Sequence, residues 1–232
     1  MAHPSIVILT GAGISAESGL GTFRDEGGLW AQHRIEDVAT PEGFARNPQL
    51  VVDFYNARRA QAAEAVPNAG HAALARLQAE HPGDVLLVTQ NVDDLHEKAG
   101  SPDVLHMHGA LNSALCGACE QRWPAPLEMH VGEACPQCDA PTARPDIVWF
   151  GEIPYQMERI EQALLNADIF AAIGTSGNVY PAAGFVQMAA HVGAKTVEMN
   201  LDPSETVALF EETRPGKASE TVPEWVASIL GS

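Results

Sequence analysis

The sequence predicts an α/β fold, a parallel sheet covered by helices with one small module inserted into it. Three observations lead there. Strand-like apolar runs alternate with helix-compatible segments along the chain. Most of those runs are apolar on both faces, as strands inside a parallel sheet are. One stretch, from about Cys116 to Pro145, breaks the rhythm with Pro, Gly and all four cysteines. The length of 232 residues suits one large or two small domains, and 46% hydrophobic content is enough for a buried core.

The first strand is expected at Ser5 to Thr10. It runs into Gly11-Ala12-Gly13-Ile14-Ser15-Ala16, a G-x-G-x-x-A turn opening a helix. Such glycines let a pyrophosphate approach the backbone, where helix N-terminal amides supply donors, so the turn reads as a dinucleotide-binding start. A glycine turn of this kind also serves as a plain strand-to-helix connection in any α/β fold. No second strand ending in an acidic residue follows about 20 residues on, as an ordinary Rossmann fingerprint requires. Gly19 to Trp30 is instead a glycine-rich, mixed-polarity segment like a mobile cofactor loop.

Pro48 to Ala65 and His71 to Glu80 have helix-forming composition, and a strand is expected at Asp84 to Gln90. Asn91 and Asp93 follow it, where an open α/β sheet places its ligands; taken alone, the two residues read as a helix cap. Further strands are expected at Val104 to His108, Ile147 to Phe150, Asp168 to Gly174 and Thr196 to Asn200, with helices at Tyr155 to Asn166 and Ala182 to His191. His108 ends a strand and precedes Gly109; a histidine at such a place is commonly structural, and His106 nearby serves as an internal control.

The cysteines form two C-x2-C pairs, Cys116 with Cys119 and Cys135 with Cys138, separated by 15 residues. Two such pairs complete a tetrahedral zinc shell with no open position, so the metal is expected to be structural. The alternative is two disulfides, which a chain without an export signal, in a reducing compartment, disfavours. Gly117, Pro136 and Pro141 suit the turns of a small ribbon.

Thirteen Lys and Arg against 30 Asp and Glu give a net charge of −17, which disfavours nucleic acid and anionic membranes and suits a cationic partner such as a lysine-bearing segment. No run approaches a membrane span, and Met1 to Thr10 lacks the character of a signal peptide, so a cytoplasmic location is expected.

Taken in order, GAGIS (11–15), TFRD (22–25) with GGLW (27–30), QNVD (90–93), HGA (108–110), the two CxxC pairs, VWFGE (148–152) and GTS (174–176) resemble the sirtuin family over Ile6 to about Val226. The resemblance implies a Rossmann-like parallel sheet with helices on both faces, residues 1–115 and 146–232, and a small zinc-ribbon module, 116–145, whose domain also takes in part of 25–65. It implies that NAD, consumed as a co-substrate, and an acylated lysine peptide meet between them. Gly11, Ala12, Gly13 and Ser15 would then hold the NAD phosphates, and Phe23, Arg24 and Trp30 would border the nicotinamide ribose and phosphates. Gln90, Asn91, Val92 and Asp93 would surround the ribose and nicotinamide. Gly174, Thr175 and Ser176 would give a second phosphate and ribose contact. Asn200, Leu201, Asp202 and Ala218 would form the adenosine side.

The resemblance further implies that His108 is the general base, with Asn91 and Asp93 beside it at the reacting ribose. Tyr55 and Arg58, three apart on one helix face, resemble the pair that grips a carboxylate in the sirtuins acting on succinyl- and malonyl-lysine. Arg58 can equally be a solvated charge and Tyr55 a core residue. Gly43 before Phe44 is expected to leave room for the acyl chain. Val148, Trp149, Phe150 and Gly151 resemble the strand that pairs with the peptide backbone, although Pro145 and Gly151 also suit ordinary strand punctuation. The competing readings are a protein ADP-ribosyltransferase, an NAD-sensing module without turnover and, from the glycine turn alone, a hydride-transferring dehydrogenase.

Overall fold

The structure, a computed structural model, describes residues 3–21 and 32–231. Phe23, Arg24 and Trp30 lie outside the described residues. The chain opens with β1 (Ile6–Thr10) and α1 (Ala12–Ala16), then α2 (Ile35–Val38), α3 (Pro41–Arg46), α4 (Pro48–Glu64) and α5 (Ala69–Glu80). β2 (Val85–Thr89), α6 (Leu95–Lys98) and β3 (Val104–His106) follow, then the antiparallel strands β4 (Gly109–Cys116), β5 (Arg122–Pro124) and β6 (Ala143–Ile147). The chain then returns through α7 (Met157–Leu165), β7 (Ile169–Ile173), α8 (Phe185–His191), β8 (Lys195–Asn200), β9 (Glu212–Pro215) and α9 (Ala218–Leu230).

The main sheet has six strands in the order β3-β2-β1-β7-β8-β9, and every pairing is parallel. Counted along the chain, that is the 3-2-1-4-5-6 order of a Rossmann sheet, whose direction of winding reverses between β1 and β7. The strands are apolar on both faces because both are covered. Ile6, Ile8 and Leu87 pack with Leu74 and Leu77 of α5 and Val222 and Trp225 of α9. Val7, Leu9 and Val88 pack with Ile160 and Leu164 of α7 and Phe185 and Val186 of α8.

The second sheet, β5-β4-β6, is antiparallel and carries the cysteines. α4 packs on it. Val51, Phe54 and Tyr55 meet Leu111, Ile147 and Trp149, while Val52 meets Ala114, Met129 and Ala143. Asn47 caps α4 by accepting the Leu50 amide at 3.2 Å, with Pro48 in the first turn. At the other end Lys98 donates to the Ala62 carbonyl at 2.7 Å.

Two strand expectations are corrected. The strand begun at Val104 ends at His106, and Met107 and His108 form the turn into the second sheet. The strand placed at Ile147 to Phe150 lies at Ala143–Ile147 and belongs to the second sheet. Beyond Ile147 the amides of Val148, Trp149 and Phe150 go to three different acceptors, the His108 carbonyl, the Glu152 carboxylate and the Ala39 carbonyl, so no ladder continues. Among the described residues no helix is long and apolar enough to cross a membrane.

Candidate active site

The C-terminal ends of β1 and β7 meet where the sheet reverses, the place at which open α/β sheets hold ligands. The two turns there touch backbone to backbone. A Cβ on Gly13 would come within 2.7 Å of Gly174 Cα, and one on Gly174, at φ +62°, within 2.5 Å of the Ile14 nitrogen. The Gly13 amide donates to the Gly174 carbonyl at 2.9 Å. Glycine is therefore required on both turns, and GAGIS and GTS form one surface.

Gln90 to Asp93 cross the end of β2 beside that surface. Asn91 is buried, and its Nδ2 donates to the Gly11 carbonyl at 3.1 Å and to Ser15 Oγ at 3.0 Å. Asp93 is also buried, and burial raises its carboxyl pKa while hydrogen bonds from Leu95 and Ser15 oppose the shift. Asp93 accepts the Leu95 amide at 3.1 Å at the start of α6, so the capping role is present for Asp93. Asn91 instead binds the glycine turn.

The two histidines differ in their hydrogen bonds. His106 places Nδ1 3.1 Å from the Asn91 carbonyl oxygen and Nε2 2.7 Å from Glu97 Oε1. Both partners only accept, so both ring nitrogens donate and the ring is a paired cation. Burial lowers its pKa, but Glu97 and the Asn91 carbonyl outweigh that and the net shift is upward. Among the described residues His108 has only Nδ1 engaged, 3.2 Å from the Gln90 carbonyl oxygen. That carbonyl fixes the proton on Nδ1 and leaves Nε2 with a lone pair. Burial holds the His108 pKa below the ordinary histidine value, against the Gln90 bond, so the ring is neutral near pH 7. Gly109, at φ +81°, lets the next strand start against β6; a Cβ there would lie 2.0 Å from the Asp146 carbonyl oxygen.

Tyr55 and Arg58 share one face of α4. Tyr55 is buried and accepts a hydrogen bond from Trp149 Nε1 at 3.1 Å. Burial pushes its pKa up to about 12, with Arg58 opposing. The Arg58 guanidinium lies 6.0 Å from the centre of the Tyr55 ring and 5.9 Å from that of Phe54. It is half-buried rather than a solvated surface charge. Burial lowers its pKa while Tyr55 and Asp93 raise it. The neighbouring Arg59, which sequence reasoning passed over, is instead a structural tie. Its donors reach the Leu111 carbonyl at 2.6 Å and Asn56 Oδ1 at 2.7 Å. For Gly43 the structure gives a packing reason. A Cβ there would lie 2.6 Å from the Glu36 carbonyl oxygen, so its smallness serves the packing of α3 on α2.

Trp149 is gripped by Arg144, whose guanidinium sits 3.7 Å from the ring centre and pairs with both Glu152 oxygens at 2.8 Å. Phe150 is exposed, and Gly151 adopts φ +94°. On the other side of the crevice, Asn200 Nδ2 donates to the Thr175 carbonyl at 2.6 Å, linking the ends of β7 and β8. Ser176 Oγ accepts the Asn178 amide at 3.3 Å. Leu201 and Asp202 are exposed beyond β8, and Ala218 is the first residue of α9.

The four cysteine sulfurs lie within 4.8 Å of one another. Cys116 and Cys138 are 3.6 Å apart and Cys119 and Cys135 3.7 Å, far beyond the roughly 2.05 Å of a disulfide. Sulfurs about 2.3 Å from a tetrahedral zinc are separated by about 3.8 Å, so the site fits that ion. The amides of Ala118 and Gln137 point at Cys116 and Cys135 from 3.4 Å, as the turn of each C-x2-C pair requires.

The pattern of the Sir2 family matches residues 11–181. An NAD-dependent protein deacylase of Caulobacter vibrioides is 55% identical over 97% of this chain and 96% of its own length. A protein of the same description from Vibrio parahaemolyticus is 55% identical over 98% and 96%. Among solved structures, a histidine-to-asparagine mutant of a Sir2 homologue bound to ADP-ribose superposes with a TM-score of 0.90 at 36% identity, covering 97% of this chain and 91% of that one. A Sir2 homolog bound to NAD gives 0.89 at 36%, covering 97% and 89%. With the Rossmann order, the paired glycine turns and the four-sulfur cluster already in place, these matches establish that the chain belongs to the Sir2 family, the sirtuins.

Proposed function

We propose that this chain is an NAD-dependent protein-lysine deacylase that removes succinyl, malonyl and acetyl groups and releases nicotinamide and O-acyl-ADP-ribose. The observation that carries the reading is the asymmetry of the two histidines. His106 is a paired cation, while His108, held by the Gln90 carbonyl, is neutral with Nε2 unengaged among the described residues and able to take a proton. The acyl oxygen displaces nicotinamide at the ribose C1′, and NAD is thereby consumed. His108 Nε2 accepts the proton of a ribose hydroxyl as that oxygen attacks the acyl carbon, and water completes release of the lysine. Asn91, tied to Gly11 and Ser15, holds the loop at the phosphate turn. The peptide enters beside Val148 to Gly151, where the amides of Val148 and Phe150 are already engaged by His108 and Ala39, so pairing there uses carbonyls. Cys116, Cys119, Cys135 and Cys138 would hold a zinc ion that ties the second sheet together, and four thiolates leave no position on it for substrate.

The preference for dicarboxylic acyl groups rests on Tyr55 and Arg58. A charge-assisted bond of this type contributes about 1.5 to 3 kcal/mol, roughly tenfold to a hundredfold in preference, so acetyl-lysine remains a substrate. The deciding experiment compares wild type and His108→Ala on succinyl-, malonyl- and acetyl-lysine peptides, with and without NAD, read by mass. Acyl loss that needs both NAD and His108 supports the reading. ADP-ribose left on the peptide would identify a transferase, and loss of acetyl alone would remove the dicarboxylic preference.

A further inference from the structure

Beneath Gln90 to Asp93 lies a group of buried polar side chains that the proposed chemistry does not use. His71 and His96 are 0% and 1% exposed, and their ring centres are 4.9 Å apart. Their hydrogen bonds fix where each proton sits. The Asn68 amide donates to His71 Nδ1 at 3.3 Å, so the neutral ring carries its proton on Nε2. His96 Nε2 lies 3.0 Å from Thr10 Oγ1, and the Thr10 hydroxyl donates to Thr89 Oγ1 at 2.8 Å. With its own proton engaged, Thr10 accepts from His96, which places the His96 proton on Nε2 and leaves Nδ1 as an acceptor. Thr89 Oγ1 also accepts the Asn91 amide at 3.0 Å.

Among the described residues two buried atoms of this group are left without a partner, His71 Nε2 and His96 Nδ1. One is a donor and the other an acceptor, on rings in contact. Burial lowers the pKa of both rings, so neither competes as a cation.

We propose that His71 and His96 are positioning residues in a one-directional chain of hydrogen bonds, in which His71 Nε2–H donates through one water to His96 Nδ1, and the chain ends at the threonines that hold Asn91. Thr10 and Thr89 are register partners at the ends of β1 and β2. The Asn91 side chain then grips Gly11 and Ser15. The chain therefore sets the spacing between the phosphate turn and the ribose loop from behind, touching neither the cofactor nor the peptide. The inference rests on the reading of this loop as the NAD site.

The first test needs no variant. Long-range nitrogen–proton NMR of the intact protein at pH 7 should show both rings neutral with the proton on Nε2; a charged ring, or an Nδ1-protonated tautomer at either position, overturns the chain. The second test compares His96→Leu with His96→Gln, whose side-chain amide nitrogen reaches the place of the imidazole Nε2, and Thr89→Val with Thr89→Ser. Loss of the bond should raise the KM and Kd for NAD about tenfold in the Leu and Val variants, with peptide KM unchanged, and the Gln and Ser variants should recover most of it. Equal values for Leu and Gln, or an unchanged NAD affinity in both, would show a packing role only. If wild type neither binds nor cleaves NAD, the deacylase reading fails, while the NMR result still decides the chain.

Discussion

Trp149 determines where the Tyr55 hydroxyl points. Its indole N–H donates to the Tyr55 oxygen, so the phenolic proton must go elsewhere, and among the described residues it has no acceptor. A substrate carboxylate beside Arg58 would supply one. Trp149→Phe removes that donor while keeping the ring on Arg144. It is expected to raise the KM for a succinyl peptide by about threefold to tenfold, the size of one neutral hydrogen bond, with little change for an acetyl peptide. Arg58→Met should cost the succinyl peptide more, about tenfold to a hundredfold, because a charge is lost. Steady-state kinetics on the two peptides check both, and equal losses would place the two residues outside the acyl pocket. The neutral state of His108 has its own signature. A base whose folded pKa is depressed stays active until the pH falls through that value, so the acid limb of kcat/KM should lie below about 6.5. A limb above 6.5 would assign it to another group.

The cysteine-bearing end of the second sheet has only a small core, while Leu111 and Ile147 at its other end pack against α4. At that end Ala114, Met129 and Ala143 are the buried contacts with Val52 of α4, so the four thiolates are the larger constraint there. Removing zinc with a chelator should loosen β4 to β6 and then α4, which packs on them. Hydrogen exchange should rise in both segments while β1, β2 and β7 stay protected, and deacylation should stop. Full activity in protein verified free of zinc would exclude this. The buried strands β1, β2 and β7 were legible because each is a compact apolar run, and the cysteine spacing marked the metal site. β5 and β9 were not, because each is a three- or four-residue edge strand, Arg122–Pro124 and Glu212–Pro215, with charged residues and a closing proline. The apolar look of Ile147 to Phe150 reports burial of Trp149 and Ile147 against α4, not a ladder. Arg59, Arg144 and the His71–His96 pair were invisible because their value lies in partners distant in sequence.

Acid stability sets two properties of the chain against each other. At neutral pH the net charge of −17 repels itself, and that repulsion weakens as carboxylates protonate toward the pI of about 4.7. Buried neutral histidines act in the opposite sense. Burial pushes the His71 pKa down to about 4, whereas an unfolded histidine titrates near 6.5. Between those values the unfolded chain binds the proton and the folded chain does not, so this contribution to stability is complete above about pH 6.5 and declines as the pH falls. The slope is about 1.4 kcal/mol per pH unit, or about 3 kcal/mol across the window. His71→Asn keeps an acceptor near the Asn68 amide and removes the titrating ring, which separates the two effects. Urea unfolding of both proteins at pH 7, 6 and 5 should show the wild type losing stability relative to the variant with each step down. Parallel curves over that range would mean that His71 is not held neutral by the fold.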